Sequence, residues 1–274
     1  MKIKDYVLPI TERTCVMGIL NVTPDSFSDG GIYRDPSKAA ARARQLVSSG
    51  ADIIDVGGES SRPGAEKVSE TEELCRVIPV IRAVKDAVNV AISIDTYKSE
   101  VARQALMEGA VIVNDITALK YDSCMAETIA GFDAGVILMH MKGTPETMQE
   151  SPFYGNLINE IYAYLEESVI LAEKAGIDPS KIIIDPGVGF GKTVQHNISI
   201  LRELKRFKKL KKPVLVGTSR KSFIGKLTSK GIDEREFGTA ASCAAAIING
   251  ADIIRVHNVG AMKDVAIITD KLFR

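Results

Sequence analysis

Short, β-branched apolar runs recur along the chain, each followed by a loop and then by a longer stretch whose apolar residues fall three and four apart. The runs are CVMGILNV at 15–22, DIIDVG at 52–57, AISIDT at 91–96, AVIVND at 110–115, GVILMH at 135–140, KIIID at 181–185, PVLVGTS at 213–219 and DIIRVH at 252–257. Their near-continuous apolar character predicts parallel strands covered on both faces. The intervening stretches, such as 35–50 and 154–176, read as helices. Four helix ends share a signature, a glycine followed by small or acidic residues that lead into the next strand: Gly50-Ala51-Asp52, Gly109-Ala110, Gly176-Ile177-Asp178-Pro179 and Gly250-Ala251-Asp252. Glycine takes up the left-handed cap at little cost. Eight strand–helix units of roughly 34 residues predict a closed (β/α)8 TIM barrel in preference to an open doubly wound sheet, with residues 1–274 as a single α/β domain. Residues 1–13 precede the first unit as an N-terminal extension, a short strand or a hairpin.

Composition narrows what such a barrel does. With 274 residues, 45% of them apolar, the chain buries a full core without metals or disulfides. Its 35 basic and 35 acidic side chains cancel, which argues against a surface built for nucleic acid or for an anionic membrane and leaves room for a local anion site. Cys15, Cys75, Cys124 and Cys243 form no CxxC pair and no cluster with histidine, so they read as free thiols in a reducing compartment. No apolar run approaches the ~20 residues that span a bilayer. The N-terminal MKIKDYVLPI carries an aspartate where a signal peptide needs its apolar stretch. A cytoplasmic protein is expected.

Chemistry in these barrels sits at the C-terminal face, where strand ends bring distant positions together. Here those ends are unusually polar: Asn21, Asp55 and Glu59, Asp95, Asn114 and Asp115, His140, Asp185, then Ser219, Arg220 and Lys221, and finally Arg255 and His257. Such residues also cap helices, and for Thr96 and Asp115, directly before helical pattern, capping is the expected role. Arg255 and His257 are two apart and share one face of their strand, with Ile254 and Val256 on the other. An arginine and a histidine turned together into a barrel mouth suit an anion. The competing reading is a salt bridge from Arg255 to a neighbouring strand's carboxylate.

The segment DPGVGFGKT at 185–193 fails both phosphate-loop patterns, because Pro186 stands at the first glycine of the P-loop and Lys192 at the last glycine of GxGxxG. Its glycines suit a tight turn that lets a flat ligand approach the backbone, with Phe190 available to cover an aromatic face. Two further loops, NVTPDSFSDGG and GGESSRPGA, have the composition of loops that close over a substrate. Polar neighbours such as Arg220 argue against Lys221 as a desolvated Schiff-base nucleophile. No Ser-His-Asp order, HExxH or CxxC pattern is present, and His140, His196 and His257 are too dispersed to argue for a metal by spacing.

Taken in order, MGILNVTPDSFSDGG, GADIIDVGGESSRPGA, SIDT, VNDI, MHMKG, IIIDPGVGFGKT with HN at 196–197, GTSRKSFIG, GTAA and IIRVHNV resemble the dihydropteroate synthases of folate biosynthesis over nearly the whole chain. Any one segment is weak, whereas the ordered set is specific. The resemblance implies the same barrel and a sulfonamide-targeted transferase that joins 6-hydroxymethyl-7,8-dihydropterin pyrophosphate to 4-aminobenzoate, giving 7,8-dihydropteroate and pyrophosphate by dissociative displacement. A pterin's aminopyrimidine edge is rich in donors, which buried carboxylates and amides satisfy. By resemblance Asp95, Asn114 and Asp185 bind that edge, Lys221 reaches the pterin carbonyl and ring nitrogen, and Met139 and Gly217 belong to the same substrate site. Asn21, Arg255, His257 and a Mg²⁺ ion held at Asn21 take the pyrophosphate. Phe190, Ser61, Arg62 and Pro63 hold the aminobenzoate ring, with its carboxylate near Ser222. Asp95, Lys221, Arg255 and His257 form the implied catalytic set, and a homodimer is the implied assembly. The family usually has threonine where this chain has Ser61, a change that keeps the hydroxyl and loses a methyl.

Two other readings share the barrel. A pterin-binding methyltransferase that serves a corrinoid would use the same acid and amide contacts but has no use for a pyrophosphate site, which the NVTPDSFSDGG loop and the RVH strand favour. A non-catalytic pterin-binding protein would not need every expected polar position filled, as it is here.

Overall fold

Parallel strands and helices alternate through the computed structural model, which describes residues 1–23, 35–60 and 64–274. A short hairpin, β1 (Lys2–Ile3) and β2 (Tyr6–Val7), leads into β3 (Cys15–Asn21), α1 (Pro36–Ser48), β4 (Ile53–Gly57), α2 (Glu70–Ala87), β5 (Ala91–Asp95) and α3 (Ser99–Met107). Next come β6 (Ile112–Asp115), α4 (Met125–Gly131), β7 (Gly135–Met139), α5 (Leu157–Lys174), β8 (Ile182–Asp185) and α6 (Val194–Arg202). The chain ends with β9 (Leu215–Val216), α7 (Ser222–Thr228), α8 (Glu236–Ile248), β10 (Ile253–Val256) and α9 (Val259–Phe273). Strands run in the order β8-β7-β6-β5-β4-β3-β10-β9. A parallel bridge between Ile184 and Val214 joins the two ends and closes the barrel.

All eight predicted strands form, most of them trimmed by a residue or two. β9 is cut furthest, from 213–219 to two residues, because the chain turns after Gly217 and Lys221 N–H donates to Thr218 C=O at 3.2 Å. The predicted glycine stops hold at Gly50, Gly109, Gly176 and Gly250, whose φ angles of 94° to 112° lie where side-chain-bearing residues are strained. The expected capping at Thr96 and Asp115 needs correction. Both close turns instead: Thr96 Oγ1 accepts from Lys98 N–H, and Asp115 accepts from the N–H groups of Thr117 and Leu119, while α3 and α4 begin later.

Strand alternation sorts the core into two parts. Outward residues such as Val16, Ile54, Ile94, Val113, Leu138, Ile184 and Val256 pack under the helices in one large cluster. Inward residues begin apolar at the strand starts, with Cys15, Met17, Ile53, Ala91, Ile112, Ile137, Ile183, Leu215 and Ile253 in a second cluster. Ile3 and Leu8 of the N-terminal extension join that cluster, so the hairpin stoppers the lower mouth. Asp52 and Asp252, the acidic residues of the predicted helix-to-strand signature, accept from the strand N–H groups of Val16 (2.8 Å) and Val214 (2.7 Å). They seal the lower rim, where conserved chemistry is not needed and stability is. Further up β4, β5, β6, β8 and β10 the inward positions become polar.

Candidate active site

The change from apolar to polar follows register. Asp55 on β4 lies two residues above Ile53, Asp95 on β5 four above Ala91, Asn114 on β6 two above Ile112, Asp185 on β8 two above Ile183, and Arg255 on β10 two above Ile253. Period-two alternation therefore carries all five side chains to the barrel interior near its upper mouth. They join: Arg255 Nε donates to Asp55 Oδ2 at 2.6 Å, Arg255 Nη2 to Asp95 Oδ2 at 2.7 Å, and Asn114 Nδ2 to Asp55 Oδ2 at 3.2 Å. The salt-bridge reading of Arg255 is thus what the structure shows. It does not displace the anion reading, since a guanidinium has five donors and these bonds use two.

A cavity of about 330 Å³ opens above this cluster. Of the residues singled out from sequence, Asn21, Asp95, Asn114, Met139, Asp185, Phe190, Gly217, Lys221, Ser222, Arg255 and His257 all line it. Ser61, Arg62 and Pro63, and the 24–31 part of the first long loop, lie outside the described residues. One wall is apolar, built by Met139, Met148, Phe190 and Ile116. The Lys221 ammonium sits 4.0 Å from the centroid of the Phe190 ring, a cation–π contact that places charge and a flat apolar face side by side. Ser219 Oγ and His257 Nδ1 are 2.9 Å apart, which ties the end of β10 to the turn after β9.

Asp185 is nearly buried and accepts from Gly187 N–H at 2.7 Å. Burial pushes its carboxyl up to about 6, against the pull of that N–H, Lys221 and Lys192. Burial likewise raises Asp95, with Arg255 opposing and Asp55 adding to the rise. The loop after β8 turns through Gly187 at a φ of 70°, where a Cβ would fall 1.8 Å from the His140 carbonyl oxygen. Only glycine permits this approach, so the expected tight turn is present, and what crowds Gly187 is the protein's own backbone.

Several groups at the site carried no assigned role in the sequence. Asp55 stood in the strand-end series, but its place one layer below Asp95, anchoring Arg255 and Asn114, depends on register across three strands. Lys192, only 3% exposed, reaches His140 Nδ1 and Phe190 C=O, both at 2.9 Å, and so pins the loop that carries Phe190. Burial, then the Lys192 charge, push His140 down to about 2, which leaves its imidazole neutral. Lys98 bridges Glu59 and the buried Glu73, while Tyr97 O–H donates to Glu59 at 2.6 Å, anchoring the base of the loop that follows β4. A Lys–Glu pair 39 residues apart leaves no local signal.

Comparison with known proteins agrees with this geometry. The pterin binding enzyme family matches residues 17–257. A dihydropteroate synthase from a Synechocystis species is 50% identical over 264 residues, which cover 96% of this chain and 91% of that protein. The Yersinia pestis dihydropteroate synthase in complex with a sulfonamide drug superposes with a TM-score of 0.96 at 40% identity, over 99% of this chain and 98% of the other. The Xanthomonas albilineans enzyme in complex with 7,8-dihydropteroate gives a TM-score of 0.87 at 38% identity, over 98% and 96%. With a polar barrel mouth of the expected composition and similarity along nearly its whole length, the chain belongs to the pterin-binding enzymes, as a member of the dihydropteroate synthases.

Proposed function

We propose that this barrel condenses 6-hydroxymethyl-7,8-dihydropterin pyrophosphate with 4-aminobenzoate, with the chemistry divided among the strand ends as follows. One observation carries the reading: Asp95, Asn114, Asp185 and Lys221, from four separate segments, line the same cavity as Arg255 and His257. The carboxylates and the amide accept from the donor-rich edge of the pterin, and Lys221 donates to its carbonyl and ring nitrogen. Phe190 covers the aminobenzoate ring, and Ser222 at the start of α7 faces its carboxylate.

The reaction breaks the bond between the pterin's exocyclic methylene and the bridging oxygen, whose electron pair leaves with pyrophosphate. The dihydropterin ring delocalises the developing cation, and Asp95 stabilises it electrostatically. Arg255 and His257 stabilise the departing anion. The arylamine nitrogen then bonds to the methylene and loses a proton, and its weak basicity removes the need for a strong general base.

A magnesium ion suits the donors present. Among the described residues no group of three His, Cys, Asp or Glu side chains is arranged to hold a metal, and Asn21 at the end of β3 offers a neutral amide oxygen at the cavity. Mg²⁺ binds through few protein ligands when substrate phosphates and water supply the rest. Asn21 would hold it there, and the ion would supply further charge neutralisation to the leaving group. Pyrophosphate release is expected to require both organic substrates and Mg²⁺. Sustained release at the full rate without aminobenzoate, or in excess chelator, would contradict the scheme.

The assembly proposed is a homodimer through α8 and α9. Phe237, Ile248, Ile267, Ile268, Leu272 and Phe273 are exposed on this helix pair, more apolar surface than a monomer commonly leaves uncovered. Sedimentation should show a dimer that Ile268→Lys with Leu272→Lys converts to monomer; a wild-type monomer at tens of micromolar would end this proposal. Among the described residues no helix is long and apolar enough to cross a membrane, and Cys15, Cys75, Cys124 and Cys243 are all free thiols, which supports a cytoplasmic location.

A further inference from the structure

The GTAA segment, Gly238 to Ala241, matches the family pattern but contributes no side chain to the cavity. Its place in the fold gives it a task. Arg220, the residue before Lys221, has a φ of 58°, a left-handed conformation that residues other than glycine, asparagine and aspartate rarely adopt unaided. Both polar groups of its backbone are held by the start of α8. Arg220 N–H donates to Thr239 Oγ1 at 3.1 Å, and Arg220 C=O accepts from Arg235 Nη1 at 3.0 Å.

The clamp is itself built in. Thr239 is 1% exposed and its N–H donates to Arg235 C=O at 2.8 Å, so the two clamping residues share one helical turn. Arg235 Nε also donates to Lys230 C=O at 3.3 Å. Its guanidinium lies so close over Gly225 that a Cβ there would fall 2.5 Å from Nη2. A Cβ at Gly238 would fall 2.3 Å from Ile224 Cγ2, so α8 rests directly on α7. The glycines of GTSRKSFIG and GTAA thus let α7 and α8 approach, and that approach brings Thr239 and Arg235 onto one strained peptide. From that peptide the chain enters Lys221, whose ammonium lies over Phe190, and then α7.

We propose that Thr239 and Arg235 are positioning residues that hold Arg220 in its left-handed conformation and so aim Lys221 into the pterin-binding cavity. This rests on the assignment of Lys221 to the pterin. Without the clamp Arg220 relaxes toward a right-handed or extended conformation, and the side chain that follows is redirected. A displacement of about 1 Å is enough to cost a well-placed contact most of its value.

The test is a double-mutant cycle read in steady-state kinetics. Thr239→Val keeps the shape and removes the acceptor, and it is expected to raise KM for the pterin pyrophosphate on the order of tenfold, with kcat changed less. Thr239→Ser should restore it. In a Lys221→Met background, Thr239→Val should add nothing further, because the effect passes through Lys221. Thr239→Ala, carried through the same cycle, gives a second arm should Thr239→Val fold poorly, whereas Arg235 itself lines the cavity and its loss would mix a direct effect with the positioning one. Additive effects in the Lys221→Met background would overturn the positioning role, as would failure of serine to rescue. If Lys221→Met itself left the pterin KM unchanged, the assignment of Lys221 would fall and the clamp's purpose with it, an outcome distinct from additivity.

Discussion

Arg255→Met is expected to reduce single-turnover product formation by at least ~10³ and to lower the unfolding free energy by about 3–5 kcal/mol. The stability loss follows from the partners left behind. Asp55 is fully buried, and its Oδ1 has no hydrogen-bond partner among the described residues even with arginine in place. Removing Arg255 leaves Asp55 and Asp95 as neighbouring carboxylates in the barrel interior without their shared cation. The activity loss comes from the leaving pyrophosphate, which loses a donor set already oriented by those carboxylates. Arg255→Lys should rescue poorly, because an ammonium is a point charge and does not span two carboxylates and a third ligand in one plane. Rapid-quench measurement with thermal unfolding in parallel separates the two effects. A single-turnover rate within tenfold of wild type would remove Arg255 from pyrophosphate departure.

Asp185→Asn should weaken pterin binding by roughly 10²–10⁴, since two charge-assisted hydrogen bonds at about 1.5–3 kcal/mol each are replaced by an amide that turns a donor toward donors. A pH dependence distinguishes this from general damage. Asp185 titrates near 6 in the ligand-free protein because it is buried, and the pterin edge requires the carboxylate. Wild-type affinity should therefore be level above about pH 6 and fall up to tenfold per unit below it, while the variant shows no such slope. The sign for stability is the reverse. A carboxyl raised above its unfolded value near 3.9 stabilises the ligand-free fold fully below that value, and the contribution is lost as pH rises through 6. Asp185→Asn should accordingly raise the melting temperature of the ligand-free protein more at pH 7 than at pH 5. Calorimetric titration with a pterin analogue reads the affinities, and a slope retained in the variant would reassign the titrating group.

Much of this site was legible before the structure because TIM-barrel geometry turns sequence order into spatial arrangement. The strand ends had only to be recognised as strand ends for Asn21, Asp95, Asn114, Asp185 and Arg255 to meet. Asp55 shows the limit. Its neighbours Ile54 and Val56 marked it as strand, but whether it faced water, a cap or Arg255 was set by stagger between strands, which local pattern does not encode. Thr96 and Asp115 show another. A short polar residue after a strand satisfies backbone N–H groups in a turn as readily as at a helix start, and the choice depends on where the following helix packs.

Alternation, glycine stops and polar strand ends thus determined by themselves the barrel, the face on which its polar cavity opens and much of that cavity's polar lining, because period and chirality are local properties of the chain. Tertiary structure alone decided the pairing of Arg255 with Asp55 and Asp95, the burial of Lys192 against His140 and the left-handed peptide at Arg220. Each of these joins groups that are far apart in sequence or strains a residue against its local preference, and only packing of complete elements supplies the free energy for that.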